Sequence, residues 1–141
     1  PLKQTIMHEV TMIAYTMVGT KDLETALRFY DPLFSTMGWD VCWKDNSTVS
    51  YGKKDDLRFP RFIVGYPFDG NCAAVGNGVM TAFQFREANV VDDLYALAME
   101  KGGGSEGAPG FRPQYGEGFY AAYVRDLDGN KLAFVVYSAN A

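Results

Sequence analysis

The chain has few side chains with which to do chemistry. Its 141 residues include a single histidine, His8, and two cysteines, Cys42 and Cys72. A nucleophilic triad would need His8 as its base, and a residue so near the start of the chain is poorly placed to be held rigidly against a nucleophile. Pro1, if it is the native N-terminus, would offer a secondary amine as base in the manner of the tautomerases, but the rest of the sequence does not look like that family. The cysteines cannot supply the four sulfur or nitrogen ligands of a structural zinc site. Cys42, between Val41 and Trp43, reads as a packing residue, and Cys72 has no neighbour in sequence that would lower its pKa. Gly102-Gly103-Gly104-Ser105-Glu106-Gly107 spells a dinucleotide fingerprint, but that mechanism needs a strand before it and a helix after it, and here the order is reversed. The stretch reads instead as a flexible loop able to serve as a lid. Asp126-Leu127-Asp128-Gly129-Asn130 resembles a calcium loop, yet its glycine comes too early and no bidentate glutamate follows, so a tight hairpin is the expectation.

Composition narrows the partners. Lys plus Arg (13) against Asp plus Glu (17) leaves a net charge of -4, with no electrostatic footprint for nucleic acid or an anionic membrane surface. Hydrophobic residues make up 48% of the chain, enough to bury the core of one domain. Two cysteines allow at most one disulfide, which makes a reducing compartment the default. No stretch approaches the roughly 20 apolar residues of a membrane span, and the N-terminal stretch lacks the features of a secretory signal. A soluble cytoplasmic protein is expected.

The elements that would position a site follow from periodicity. Glu9 to Gly19 reads as a first strand, β-branched and apolar and ended by glycine. Leu23, Ala26, Leu27, Tyr30, Leu33, Phe34 and Met37 recur at three and four, which predicts an amphipathic helix that ends at Gly38 and kinks or restarts near Arg28 to Asp31 because of Pro32. Strands are expected over Val41–Lys44, Thr48–Gly52 and Arg61–Tyr66, then a loop over Pro67–Gly78. A strand over Val79–Arg86 follows, with a helix capped by Asn89, carrying Asp92 and Asp93 in its first turn and stopping at Gly102. Beyond the glycine-rich loop come an extended piece near Arg112–Tyr115 and strands over Phe119–Arg125 and Lys131–Tyr137. Strand, helix and three strands thus occur twice. This predicts a single α+β domain built by duplication, with module one over 9–67, a linker over 68–77 and module two over 78–137.

Four stretches together carry a family resemblance: Met12-Ile13-Ala14-Tyr15 through Asp22-Leu23 to Phe29-Tyr30; Gly76-Asn77-Gly78-Val79-Met80-Thr81-Ala82-Phe83; Gly107-Ala108-Pro109-Gly110-Phe111-Arg112-Pro113; and Tyr120-Ala121-Ala122-Tyr123-Val124-Arg125-Asp126-Leu127-Asp128-Gly129-Asn130. In combination they resemble the glyoxalase/bleomycin-resistance/dioxygenase (vicinal oxygen chelate) superfamily over nearly the whole chain. The resemblance implies two paired βαβββ modules, a cupped mixed sheet around a ligand cavity, and a homodimer. Enzymes of that superfamily hold a divalent metal through His or Glu on the cavity strands. By position, those ligands fall here on Tyr15, Met80 and Ala133, and the remaining candidate strand, around Phe62 to Val64, is apolar. Methionine sulfur is a poor ligand for such ions and alanine offers none, so no metal and no other cofactor is expected.

If Tyr15, Met80 and Ala133 face inward, strand alternation turns Ile13, Met17, Ala82, Gln84, Val135 and Tyr137 to the same side. Arg112, Tyr115, Phe119 and Tyr120, on the neighbouring loop, could close over a planar or acidic ligand. The expected ligand-binding set is therefore Tyr15, Met17, Met80, Gln84, Arg112, Tyr115, Tyr120, Ala133 and Tyr137, the apolar wall with a few polar tips of a small-molecule site. The leading reading is metal-independent binding of a small aromatic or amphipathic molecule. Two alternatives stand beside it. One is a lyase- or dioxygenase-type enzyme using a non-standard metal site or Tyr15 or Tyr137 as acid or base, against which the ordinary tyrosine pKa near 10 counts. The other is a non-catalytic interaction subunit.

Overall fold

In a computed structural model of the protein, residues 11–140 are described; His8, Pro1 and the start of the expected first strand lie outside them. The first module consists of β1 (Tyr15–Gly19), α1 (Leu23–Met37), β2 (Asp40–Lys44), β3 (Thr48–Gly52) and β4 (Arg61–Gly65). The second consists of β5 (Met80–Gln84), α2 (Ala88–Glu100), β6 (Gly104–Phe111), a single 3-10 turn over Pro113–Tyr115, β7 (Tyr120–Arg125) and β8 (Lys131–Val136). The sheets have the same order, β1-β4-β3-β2 and β5-β8-β7-β6, and in each the first and last strands of the module run parallel while the others are antiparallel. The duplication expected from the element order is therefore present in the pairing as well. The cup consists of two mixed four-stranded sheets, with no ladder joining β1 to β5.

Helix α1 forms where its stripe predicts. Asp22 caps it by accepting from the Thr25 N–H at 3.1 Å, a bond that also holds the Asp22 carboxyl below its ordinary pKa. The helix does not restart at Pro32. The lost hydrogen bond falls on Arg28, which is exposed so that water can serve its carbonyl, and Leu23–Met37 stays helical throughout. Gly38 ends it at φ 76°, the left-handed conformation that favours glycine.

In α2, Asn89 is not the cap. The helix starts at Ala88 after an extended Glu87 that makes no capping bond, and Asp92 and Asp93 fall beyond the first turn. Asp92 instead accepts from the Tyr120 hydroxyl at 2.5 Å.

The largest departure is the glycine-rich stretch, which forms strand β6 paired with β7 rather than a loop, while Arg112–Tyr115 leads into the 3-10 turn rather than a strand. The glycines suit this placement. Gly102 takes φ +95° just past α2, and a Cβ on Gly103 would stand 2.9 Å from the Ala98 and Arg125 carbonyl oxygens and from the Phe29 ring. The β6–β7 register slips between Ser105 and Gly107 and again between Gly107 and Gly110, the bulged edge that such a sequence allows.

Both helices and the helix-side faces of both sheets share one core. Phe34 of α1 stacks on Tyr51 of β3 at 4.2 Å between centroids, and Phe83 of β5 lies 5.7 Å from Phe34 and 5.4 Å from Phe62, so the second module inserts into the aromatic cluster of the first. A polar lock sits beside it. In the β7–β8 hairpin, the buried Asp126 accepts from the backbone of Asp128 and Asn130, from the Asn130 side-chain amide at 2.9 Å and from the Tyr30 hydroxyl of α1 at 2.5 Å. Asp128 accepts from the Thr20 hydroxyl at 2.6 Å and the Lys21 N–H at 2.9 Å, and the Asn130 amide donates to the Gly19 carbonyl. The hairpin of module two is thereby fastened to the β1–α1 corner of module one. Among the described residues, no helix is long and apolar enough to cross a membrane.

Two outcomes follow for stability. Burial and the neighbouring Asp126 carboxylate push the Tyr30 hydroxyl well above its ordinary pKa. Folding therefore keeps Tyr30 protonated, and its contribution is full below the unfolded value near 10 and is lost as pH rises beyond it. Tyr30→Phe should cost about 1.5–3 kcal/mol at neutral pH in urea denaturation and make the fall in stability above about pH 10 shallower. Gly103→Ala should cost about 1–3 kcal/mol in the same assay, because the backbone atoms it meets cannot move aside as a side chain could.

Candidate functional site

Because the core lies on the helix side, the opposite face of each sheet is open. Strand alternation and register fix which residues stand there. On the first sheet they are Tyr15 and Met17 of β1, paired with Arg61 and Ile63 of β4, and beyond them Ser50 and Trp43. Tyr15 is 63% exposed and Trp43 60%, so these two rings stand uncovered on the face within the chain. On the second sheet, Met80, Ala82 and Gln84 of β5 lie beside Lys131, Ala133 and Val135 of β8, and these beside Arg125, Tyr123 and Ala121 of β7.

The second face holds the more developed site. Ala121, Ala133 and Val135 form its buried floor, with Phe119 and Tyr123 packed on them. A groove of about 570 Å³ on this face is lined by Met80, Glu106, Arg112, Gln114, Tyr115, Phe119, Tyr123 and Lys131. The Arg112 guanidinium and the Lys131 ammonium stand 5.6 and 5.5 Å from the centre of the Tyr123 ring. Arg112 is aimed by donating to the Gly110 carbonyl at 2.8 Å and the Ala108 carbonyl at 2.7 Å. Glu106 accepts from Arg125 at 2.9 Å, and that partner holds its carboxyl below the ordinary range. Phe119 meets Tyr115 edge-on and Tyr137 at a tilt, which links three aromatic rings at the rim.

The structure brings together Met80, Arg112 and Tyr115 of the expected set, with Tyr137 reaching them through Phe119. Met17 meets Met80 in a smaller crevice of about 180 Å³ between the β1 and β5 edges. Tyr15 and Gln84 are exposed on the open faces outside both spaces, and Ala133, 1% exposed, is floor. Tyr120 lies elsewhere. It packs on the helix side, and its hydroxyl is pushed above its ordinary pKa chiefly by donating to Asp92. Tyr123, Lys131 and Glu106 are lining residues that sequence reasoning missed. The first two were countable: the hairpin over Asp126–Asn130 sets Arg125 opposite Lys131, which puts Tyr123 opposite Ala133. Glu106 sits in the stretch read as a loop and gave no such signal.

The fold recurs among solved structures. A protein described as a glyoxalase/bleomycin resistance protein, from Albidiferax ferrireducens T118, is 32% identical over 89% of this chain and 98% of that one, with a TM-score of 0.78. This chain belongs to the glyoxalase/bleomycin resistance family. A glyoxalase-related enzyme from Fulvimarina pelagi (20% identity, 90% and 88% of the two chains, TM-score 0.69) shares the fold. So does a glyoxalase/bleomycin resistance protein/dioxygenase family enzyme from Burkholderia phytofirmans PsJN (15%, 90% and 99%, TM-score 0.67). No family model matches the sequence, and no curated protein matches it either.

Glyoxalase/bleomycin resistance enzymes imply a divalent metal, and the residues at its place do not fit one. Tyr15, Met80, Ala133 and Ile63 present a phenol, a thioether, a methyl and a branched alkyl group, and Ala133 is sealed beneath its neighbours. Among the described residues, no three His, Cys, Asp or Glu side chains converge as a metal site. The melting temperature should therefore not change on treatment with EDTA or on addition of zinc, nickel or manganese, as read by differential scanning fluorimetry with metal content measured on the same sample.

Proposed function

We propose that this protein binds a small aromatic or amphipathic molecule, without a metal, in the groove on the open face of the second sheet. The observation that carries the reading is the groove itself, where Met80, Tyr115, Phe119 and Tyr123 supply apolar and aromatic surface beside the polar side chains of Glu106, Arg112, Gln114 and Lys131. Such a lining binds planar compounds by burial and ring contact, each aromatic pair being worth about 0.5–1.5 kcal/mol beyond area.

The reading extends to a homodimer. The open face of the first sheet exposes Tyr15, Met17 and Trp43, and the duplicated modules make the two open faces equivalents of each other. A second copy laid about a two-fold axis would set the first sheet of each chain across the groove of the other, closing two identical cups.

A thermal-shift screen against aromatic compounds in EDTA tests this. A ligand at 100 times its dissociation constant adds about 2.7 kcal/mol, a rise of several degrees for a domain of this size. Tyr115→Ala should weaken such a ligand by about fivefold, the worth of one aromatic contact, while Tyr120→Phe on the helix side should leave it unchanged. Stabilisation only when metal is added, or by none of the compounds, would contradict the reading. Trp43→Glu should lower the sedimentation mass towards that of a single chain; an unchanged mass would remove the homodimer.

A further inference from the structure

Resting on that reading of the groove, we infer that its ligand is an organic anion whose carboxylate is held by Arg112 and Lys131, the two cations that line the groove beside Tyr123. The charge around this ring runs against that of the whole chain. The protein carries a net -4, yet Arg112, Arg125 and Lys131 gather here against one carboxylate, Glu106. Glu106 is bonded to Arg125 at 2.9 Å and lies within reach of the Lys131 charge, without a bond to it. Arg112 spends two of its five N–H groups on backbone carbonyls, which fix the guanidinium without neutralising it. Among the described residues, neither Arg112 nor Lys131 forms a salt bridge, and both are half-buried against the same ring.

Two cations that line one groove without a carboxylate bonded to either offer charge-assisted hydrogen bonds to an anion that enters it. A guanidinium with free N–H groups matches a carboxylate through paired bonds, and an ammonium adds a point charge from the second side. The apolar part of the same molecule would lie along Tyr115, Phe119 and Met80, which line the same groove. The chemical class is an aromatic carboxylic acid.

Calorimetric titration of the full chain with 2-naphthoate and with 2-naphthalenemethanol tests this, since the two share a ring system and differ in charge. The naphthoate should bind at least tenfold more tightly. Lys131→Met should remove most of that preference and change the affinity for the alcohol less than twofold, and Arg112→Gln should act in the same direction. Equal affinities would overturn the anion assignment and leave the aromatic groove standing. A preference that survives both substitutions would overturn the assignment to these two cations. Binding of neither probe would overturn both the anion assignment and the groove.

Discussion

The structure hangs on the carboxylate of Asp126. It is buried, and it takes four hydrogen bonds, two from its own hairpin backbone, one from Asn130 and one from Tyr30 of the other module. A buried carboxylate is expensive unless its acceptor sites are filled, so this one dictates where the hairpin must close and which residue of α1 must stand above it. The same turn presents Asp128 and Asn130 to Thr20, Lys21 and Gly19, at the corner where β1 gives way to α1. A duplicated fold has no covalent reason to hold its halves in one arrangement. Here the arrangement is fixed by this polar turn and by Phe83 reaching into the aromatic cluster around Phe34 and Phe62.

The geometry of the site follows from that lock. Once both modules bury their helix sides in one core, each sheet must turn its other face outward, and register decides what that face carries. The hairpin sets β7 against β8 so that Tyr123 stands opposite Ala133 and Arg125 opposite Lys131. Ala121, Ala133 and Val135 are small enough to serve as a floor, and Tyr123, Phe119 and the Arg112 guanidinium can then stand over them. The groove beside them is then lined by aromatic rings together with Glu106, Arg112 and Lys131.

Much of this was legible in the sequence, for identifiable reasons. The stripe of α1, the strand over Thr48–Gly52 and the hairpin at Asp128–Gly129 were readable because periodicity and turn chemistry agree there. The absent metal ligands were readable because they are a matter of residue type at matched positions. Strand β6 was not readable, because glycine and proline argue locally against a strand, and only the close packing at Gly103 and the edge pairing with β7 explain it. The site was legible in part. Arg112, Tyr115 and Met80 line one groove, whereas Tyr120 was assigned to the loop when alternation along β7 turns it to the helix side. The missed Lys131 and Tyr123 needed the β7–β8 register, which the sequence contains but which has to be counted outward from the hairpin.

The central claim is that an aromatic small molecule binds, metal-free, on the open face of the second sheet. The most direct test is amide and methyl NMR of labelled protein titrated with 2-naphthoate in EDTA. The expected shifts centre on Met80, Arg112, Tyr115, Phe119, Tyr123 and Lys131, and leave unmoved a second hollow of the protein, of about 590 Å³, lined by Met12–Ala14 and Asp56–Pro60. Perturbations confined to that other surface, or none at saturating ligand, would contradict it.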